Sequence, residues 1–330
     1  MLPFIAFLFL HISYTQASRC LEGPLLGNIV PLLPSVEHRY QLTWHDEFNY
    51  RSGYHLPTSK EWIADIGYSY PGGAPAWGNN ETQKYTMSPA NIQVTPSGTL
   101  TLTPRLSLNG SWTSGRIETQ RSDFAATPGG KLFIEGRLRT GCAHPYKQQG
   151  IWAAFWALGA DFRGNHTNWP AASEWDFVEV VNGLPKVYNT VHCGIAPGGP
   201  CNETNGLGNG GTRWSICEWH TVGFEVDRDV DVWYKEKLKW YLDGEQVFEL
   251  PASRINSSAT WAAIAHKGHF LLLNVAVGGY WPGQPNATTA DGKDVQMEVD
   301  YVRIWNTYGP RAHHTATDQS KNVDPGVLII

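Results

Sequence analysis

Ser173-Glu174-Trp175-Asp176-Phe177-Val178-Glu179-Val180-Val181 places three carboxylates within six residues of a run otherwise built from aromatic and β-branched side chains. Such composition predicts a buried or half-buried strand. In a regular strand, side chains alternate faces. Glu174 and Asp176 would then share a face with Val178 and Val180, while Glu179 would lie beside Trp175 and Phe177, mixing charge with apolar bulk on both sides. One extra residue at Phe177 or Val178, a β-bulge, resolves the conflict. Glu174, Asp176 and Glu179 then point one way, and Trp175, Val180 and one bulge residue point into a core. Bulges of this kind re-aim side chains beside active sites. Burying even a neutral polar group without a partner costs on the order of 2–7 kcal/mol. The face with three carboxylates is therefore expected to be a wet cleft. The alternative is a solvated acidic edge strand, which the apolar flanks disfavour.

The rest of the chain supports an all-β reading. With 17% charged residues, 34 glycines, 15 tryptophans and 14 tyrosines, the 330 residues suit a turn-rich sandwich better than a helical or disordered protein. A net charge of −5 with no basic run gives no reason to expect nucleic acid or an anionic membrane as partner. Expected strands run over residues 40–48, 91–94, 99–103, 116–121, 131–139, 151–158, 186–193, 219–227, 238–242, 245–248, 270–277 and 297–305. Asp243-Gly244 supplies the dipeptide preferred in a two-residue hairpin. The segment 49–70 reads as loop with a short helix near Lys60, and 194–213 as a long glycine-rich loop. A dozen strands with frequent turn signals and almost no helical period predict an antiparallel two-sheet β-sandwich.

Residues 1–17 read as a signal peptide, because the apolar run Leu2–Tyr14 is too short to span a bilayer and Thr15 and Ala17 fit a cleavage site. Residues 18–36 form an extended lead-in, 37–308 the sandwich domain and 309–330 a loosely ordered tail with no membrane anchor. Six Asn-x-Ser/Thr sequons, at Asn80, Asn109, Asn165, Asn202, Asn256 and Asn286, accord with secretion to the extracellular space or cell wall. Cys20, Cys142, Cys193, Cys201 and Cys217 permit two bridges and leave one thiol over. Their pairing stays open, with Cys193–Cys201, closing the loop between them, preferred. The chain is expected to act as a monomer.

Glu174-x-Asp176-x-x-Glu179 on a bulged strand resembles the active-site signature of glycoside hydrolase family 16, in its laminarinase-like branch. Trp44-His45-Asp46-Glu47-Phe48 resembles the opening strand of that family, and Trp77-Gly78-Asn79-Asn80-Glu81-Thr82-Gln83-Lys84-Tyr85-Thr86 another block of it, whose asparagine, here Asn79, lines a sugar subsite. The chain departs from the pattern at Trp175, where an aliphatic residue is usual, and at Ser173, where glycine is usual. The resemblance implies a jelly-roll with a concave cleft and a retaining endo-glycosidase acting on β-1,3- or mixed β-1,3-1,4-glucan, with no cofactor required.

It further implies Glu174 as nucleophile, Glu179 as acid/base, and Asp176 between them, hydrogen-bonded to the nucleophile. Nearby negative charge would raise the pKa of Glu179 and keep it protonated near neutrality. A tryptophan just before the catalytic strand, here Trp169, is expected to stack on sugar. Trp152 and Trp156, four apart, share one strand face, which is either cleft or core. Arg121, His192, Asn274 and Trp281 fall at positions resembling cleft-lining residues, and Asp300 at one resembling a structural-calcium ligand, although one carboxylate is little for an ion needing six to eight oxygens. Three other functions are weighed: a non-catalytic glucan-binding lectin, disfavoured because both glutamates are present; a cell-wall transglycosylase, disfavoured because members of that type tend to carry the shorter Glu-x-Asp-x-Glu; and a β-galactan hydrolase, which stays open.

Overall fold

The structure is a computed structural model that describes residues 40–50 and 55–309. The expected signal peptide, lead-in, Cys20 and nearly all of the tail lie outside these residues. Two eight-stranded antiparallel sheets face each other. Across the first run Glu245–Pro251, Lys237–Leu242, His220–Asp227, Lys131–Arg139, Met297–Thr307, Leu100–Leu102 and Ile92–Val94, with Gln41–Asp46 also paired to Met297–Thr307. The second orders Leu207–Gly208, Lys186–His192, Glu174–Val181, Ile151–Gly159, His269–Val277, Arg116–Thr119 and Trp62–Ala64, with Thr212–Arg213 also on Lys186–His192. The carboxylate strand sits mid-sheet between the strands that precede and follow it in sequence, Ile151–Gly159 and Lys186–His192, while the far half of the sheet is recruited from distant segments.

Alternation explains the core. Leu132, Ile134 and Leu138 of one sheet meet Phe155, Trp175, Phe177, Leu271, Leu273 and Val275 of the other in one buried cluster. Phe224 lies near the middle of it, with its ring 4.9 Å from those of Trp175, Phe177 and Trp240. At the expected hairpin, Asp243 and Gly244 both adopt positive φ (51° and 87°), as a two-residue turn matching strand twist requires.

The structure corrects the sequence reading in three segments. No helix forms near Lys60; a turn there leads into the strand Trp62–Ala64. A helix instead spans Ser258–Ala265, capped by the Ser257 side chain accepting from the Thr260 amide at 3.3 Å. Trp261, Ile264 and Ala265 are buried in a helix of only eight residues, too short for a clear helical period. The glycine-rich loop also carries the short strands Leu207–Gly208 and Thr212–Arg213. Two disulfides close loops, Cys193–Cys201 as preferred and Cys142–Cys217. Among the described residues, no helix is long and apolar enough to cross a membrane.

Candidate active site

The bulge forms where the residue pattern requires it. Phe155 pairs with Val178 and the next residue, Trp156, pairs with Asp176, so Phe177 is the extra residue on the carboxylate strand. On the other flank, Asp176 pairs with Thr190 and Glu179 with Tyr188, which repeats the slip. Trp175, Phe177, Val178 and Val180 all enter the core, while Glu174, Asp176 and Glu179 line a cleft of about 900 Å³ on the outer face of the second sheet. Both bulge residues, Phe177 and Val178, are buried, one more than the single residue expected from the pattern.

The two departures at the start of this strand are paired in space. Ser173 takes a positive φ of 74°, a region that favours glycine, and is fully buried. Its hydroxyl lies 3.3 Å from Nε2 of His269. The ring of His269 stacks on that of Trp175 with centroids 3.4 Å apart, and burial pushes its pKa down to about 3. Trp175 also donates its indole N–H to the Ile264 carbonyl at 3.1 Å. A neutral, buried serine–histidine–tryptophan group thus backs the carboxylate strand where smaller residues would leave space.

On the cleft side each glutamate receives an indole N–H. Trp169 donates to Glu174 at 3.1 Å and Trp152 to Glu179 at 3.2 Å. Trp156 donates to Asn274 at 2.7 Å, and Asn274 donates to the Tyr85 hydroxyl at 3.1 Å. Both tryptophans left undecided between cleft and core, Trp152 and Trp156, line the cleft. Trp281 closes one side, its ring edge-on to Trp152 at 5.4 Å and to Tyr188 at 5.1 Å. Asn79 and His192 also line the cleft.

Three carboxyls on one buried patch compete for ionisation. Burial raises the pKa of Glu174, an effect opposed by the His192 charge. Asp176 is pushed well up by burial and by Glu179 and Glu174 beside it. Burial also raises Glu179, to about 7. Asp176 Oδ2 has no hydrogen-bond partner; the nearest cationic atom is His192 Nε2 at 3.6 Å. The hydrogen bond to the nucleophile expected of Asp176 is therefore not made by this oxygen. Among the described residues, Glu174, Asp176 and His192 are the group whose donor atoms approach closely enough to share an ion. An imidazole that carries protons on both nitrogens has no lone pair for a metal, and both nitrogens of His192 face carboxylate oxygens.

One residue expected here, Arg121, lies elsewhere, and the expected calcium ligand, Asp300, is engaged by an arginine. Arg121 is not part of the cleft lining: its guanidinium pairs with Asp123 at 2.8 Å, donates to the Thr43 carbonyl at 3.2 Å and covers Phe124. The arginine that does line the cleft is Arg116, buried, paired with Asp65 at 2.8 Å, and 4.6 Å from the Trp77 ring and 4.9 Å from that of Trp156. Positions 116 and 121 differ by an odd number, so strand alternation alone would separate them, and the strand stops at Thr119. Asp300 lies on the other sheet, at the register slip between Val299 and Tyr301, and its carboxylate is bound by Arg137 at 2.5 Å. A guanidinium in that position does not fit a calcium ligand set. Missed in the sequence were Arg116, Glu81 and Glu203. The buried Glu81 accepts from Gln83 at 2.6 Å and from Tyr85 at 3.2 Å.

No family model matches the chain. An endo-1,3-beta-glucanase from Streptomyces sioyaensis is 40% identical, over 84% of this chain and 99% of that one, with a TM-score of 0.78. A non-specific endo-beta-1,3(4)-glucanase from family GH16 is 25% identical over 83% of this chain and 94% of its own, with a TM-score of 0.63. The chain belongs to glycoside hydrolase family 16. Glucan endo-1,3-beta-glucosidase A1 of Niallia circulans is 31% identical over 80% of this family 16 chain and 37% of its own length. The chain thus spans about a third of the length of the first curated relatives it matches. Within the family 16 frame, the core-side tryptophan at 175 and the serine at 173 are accommodated together through His269.

Proposed function

We propose that this chain is a secreted, retaining endo-glycosidase that cleaves β-1,3- or mixed β-1,3-1,4-glucan. The carrying observation is the single-residue bulge at Phe177, which aims Glu174 and Glu179 into one tryptophan-lined cleft. Retention needs one ionised carboxylate to attack and one protonated carboxyl to donate, about 5–5.5 Å apart. Glu174 fits the first role, since the His192 charge and the Trp169 N–H favour its anion against burial. Glu179, with a pKa of about 7, fits the second.

In the first step Glu174 forms a bond to the anomeric carbon while Glu179 passes its proton to the departing glycosidic oxygen. In the second, Glu179 takes a proton from water, whose oxygen displaces Glu174 and regenerates both groups. No cofactor enters either step. Burial, then the neighbouring Glu179 and Glu174, push the Asp176 pKa well up, which disfavours a third negative charge on the patch. Trp169, Trp152, Trp156 and Trp281 offer indole surfaces to the C–H faces of sugars, and Asn79 and Asn274 offer polar contacts. The six sequon asparagines are all exposed, which supports the secreted, glycosylated reading.

Incubation with laminarin, lichenan, agarose and xyloglucan, followed by sizing of products, tests this function. Short oligosaccharides from laminarin or lichenan are expected. Glucose alone, or no cleavage of either polymer, refutes it.

A further inference from the structure

We propose that Glu203 is a positioning residue for this reaction: it grips His192 through Nδ1 and presents the opposite ring nitrogen as a fixed cation to Glu174 and Asp176. The proposal rests on the function proposed above for the same cleft.

Glu203 lies eleven residues beyond His192, in the glycine-rich loop. Two features fold that loop back: the Cys193–Cys201 bridge, and a backbone pairing in which Gly198 N–H donates to the Glu203 carbonyl at 2.6 Å. Its side chain is fully buried. One carboxylate oxygen accepts from His192 Nδ1 at 2.7 Å and the other from the Cys193 amide at 2.7 Å. A buried carboxylate needs a charged partner, and of these two donors only His192 can supply one.

The other side of the imidazole faces the catalytic patch. Nε2 is 3.6 Å from Asp176 Oδ2 and 3.9 Å from Glu174 Oε1, and the Trp169 ring lies 5.5 Å away. Burial opposes a charge on His192. The hydrogen bond to Glu203, with the fields of Glu174, Glu203 and Glu179, outweighs it and pushes the pKa up to about 9. The arrangement resembles the way a carboxylate fixes the orientation of a histidine whose other nitrogen does the work. Glu203's own negative charge disfavours the Glu174 anion, but less than the His192 cation favours it. Without the grip on Nδ1 the imidazole stays protonated on the acid side but is no longer held with Nε2 toward Glu174, so losing Glu203 removes more counter-charge from Glu174 than it relieves.

Glu203→Gln keeps the volume and an oxygen for the Cys193 amide while removing the charge. In the wild type, ¹⁵N-detected titration of the histidine rings, with His192 assigned through His192→Asn, should show His192 protonated beyond pH 8. In Glu203→Gln its midpoint should fall by about one unit or more, each unit being tenfold in protonation. On an aryl β-glucan oligosaccharide, the acid limb of kcat/KM should move to higher pH by about one unit, kcat should drop about tenfold, and KM should change much less. Glu203→Asp should recover part of the loss, and in a His192→Asn background Glu203→Gln should add no further upward shift of the acid limb, because only its own repulsion of Glu174 is then removed.

A wild-type His192 midpoint near the ordinary 6.5 overturns the proposal, and this arm needs no activity. A pH profile of Glu203→Gln superimposable on wild type also overturns it, whatever happens to Tm. Failure of the wild type to cleave any glucan would instead sink the proposed function and leave the histidine titration to stand on its own.

Discussion

The indole N–H of Trp169 donates to Oε2 of Glu174 at 3.1 Å, so the residue expected to stack on sugar is also bonded to the carboxylate expected to attack it. Trp169 is only half-buried, against the small apolar group of Leu158, Phe162, Phe270 and Leu272. Trp169→Phe keeps that packing and removes the donor. A hydrogen bond to a charged group is worth about 1.5–3 kcal/mol, so kcat/KM should fall roughly ten- to a hundredfold by steady-state kinetics. Tm should stay close to wild type by thermal denaturation. An unchanged rate would show that the bond does not support the nucleophile.

Glu174→Ala and Glu179→Ala should both lose orders of magnitude on polysaccharide, yet differ in kind. With an activated aryl leaving group, azide added to Glu174→Ala should give an inverted glycosyl azide, since no enzyme-bound intermediate forms. In Glu179→Ala the intermediate still forms without a proton donor, and azide should trap it with overall retention. Product stereochemistry by NMR separates the two. Near-wild-type activity of Glu179→Ala on unactivated glucan would refute the assignment.

The pH dependence follows from the same groups. Glu179 must be protonated, so kcat/KM should fall as pH rises through about 7, where its raised pKa lies. Glu174 must be ionised, so activity should fall as pH drops through its own pKa, which burial raises above the usual glutamate value. A bell with its maximum on the acid side of pH 7 is expected from kcat/KM measured on laminarin, whose leaving group needs the proton, at constant ionic strength. A plateau extending well above pH 8 would contradict the role given to Glu179.

Arg116 and Arg121 should respond in opposite ways. Arg116→Ala leaves Asp65 buried without its ion pair, and breaking a buried pair costs about 3–5 kcal/mol. Its loss also opens the cleft wall between Trp77 and Trp156, so both Tm and kcat/KM should drop. Arg121 is exposed and paired with an exposed Asp123, and Arg121→Ala should change stability by less than about 1 kcal/mol. Chemical denaturation and laminarin kinetics on the two variants check this. A larger activity loss for Arg121→Ala would return that residue to the site.

What the sequence by itself determined was local and periodic. Three carboxylates that no regular strand can place on one face demanded a bulge, and the register slips by one residue at Phe177. Alternating strands and the Asp243-Gly244 turn specified a two-sheet sandwich, because strand period and turn chemistry act over a few residues. The loop between Cys193 and Cys201 was short enough for proximity alone to favour their bridge. Position along a strand also told which face Trp152 and Trp156 share, though not that this face is the cleft.

Tertiary structure decided everything that depends on strands meeting across the chain. Asp300 carried no sign that Arg137, on the neighbouring strand, would occupy its carboxylate. Arg116 became a cleft wall because its strand pairs with His269–Val277, which brings Trp156 and Asn274 to the same face. Glu203 is one acid in a glycine-rich loop, and nothing nearby in sequence distinguishes it. Only the folding-back of that loop buries its carboxylate, and a buried carboxylate must find a charge, which here is the histidine that faces Glu174 and Asp176.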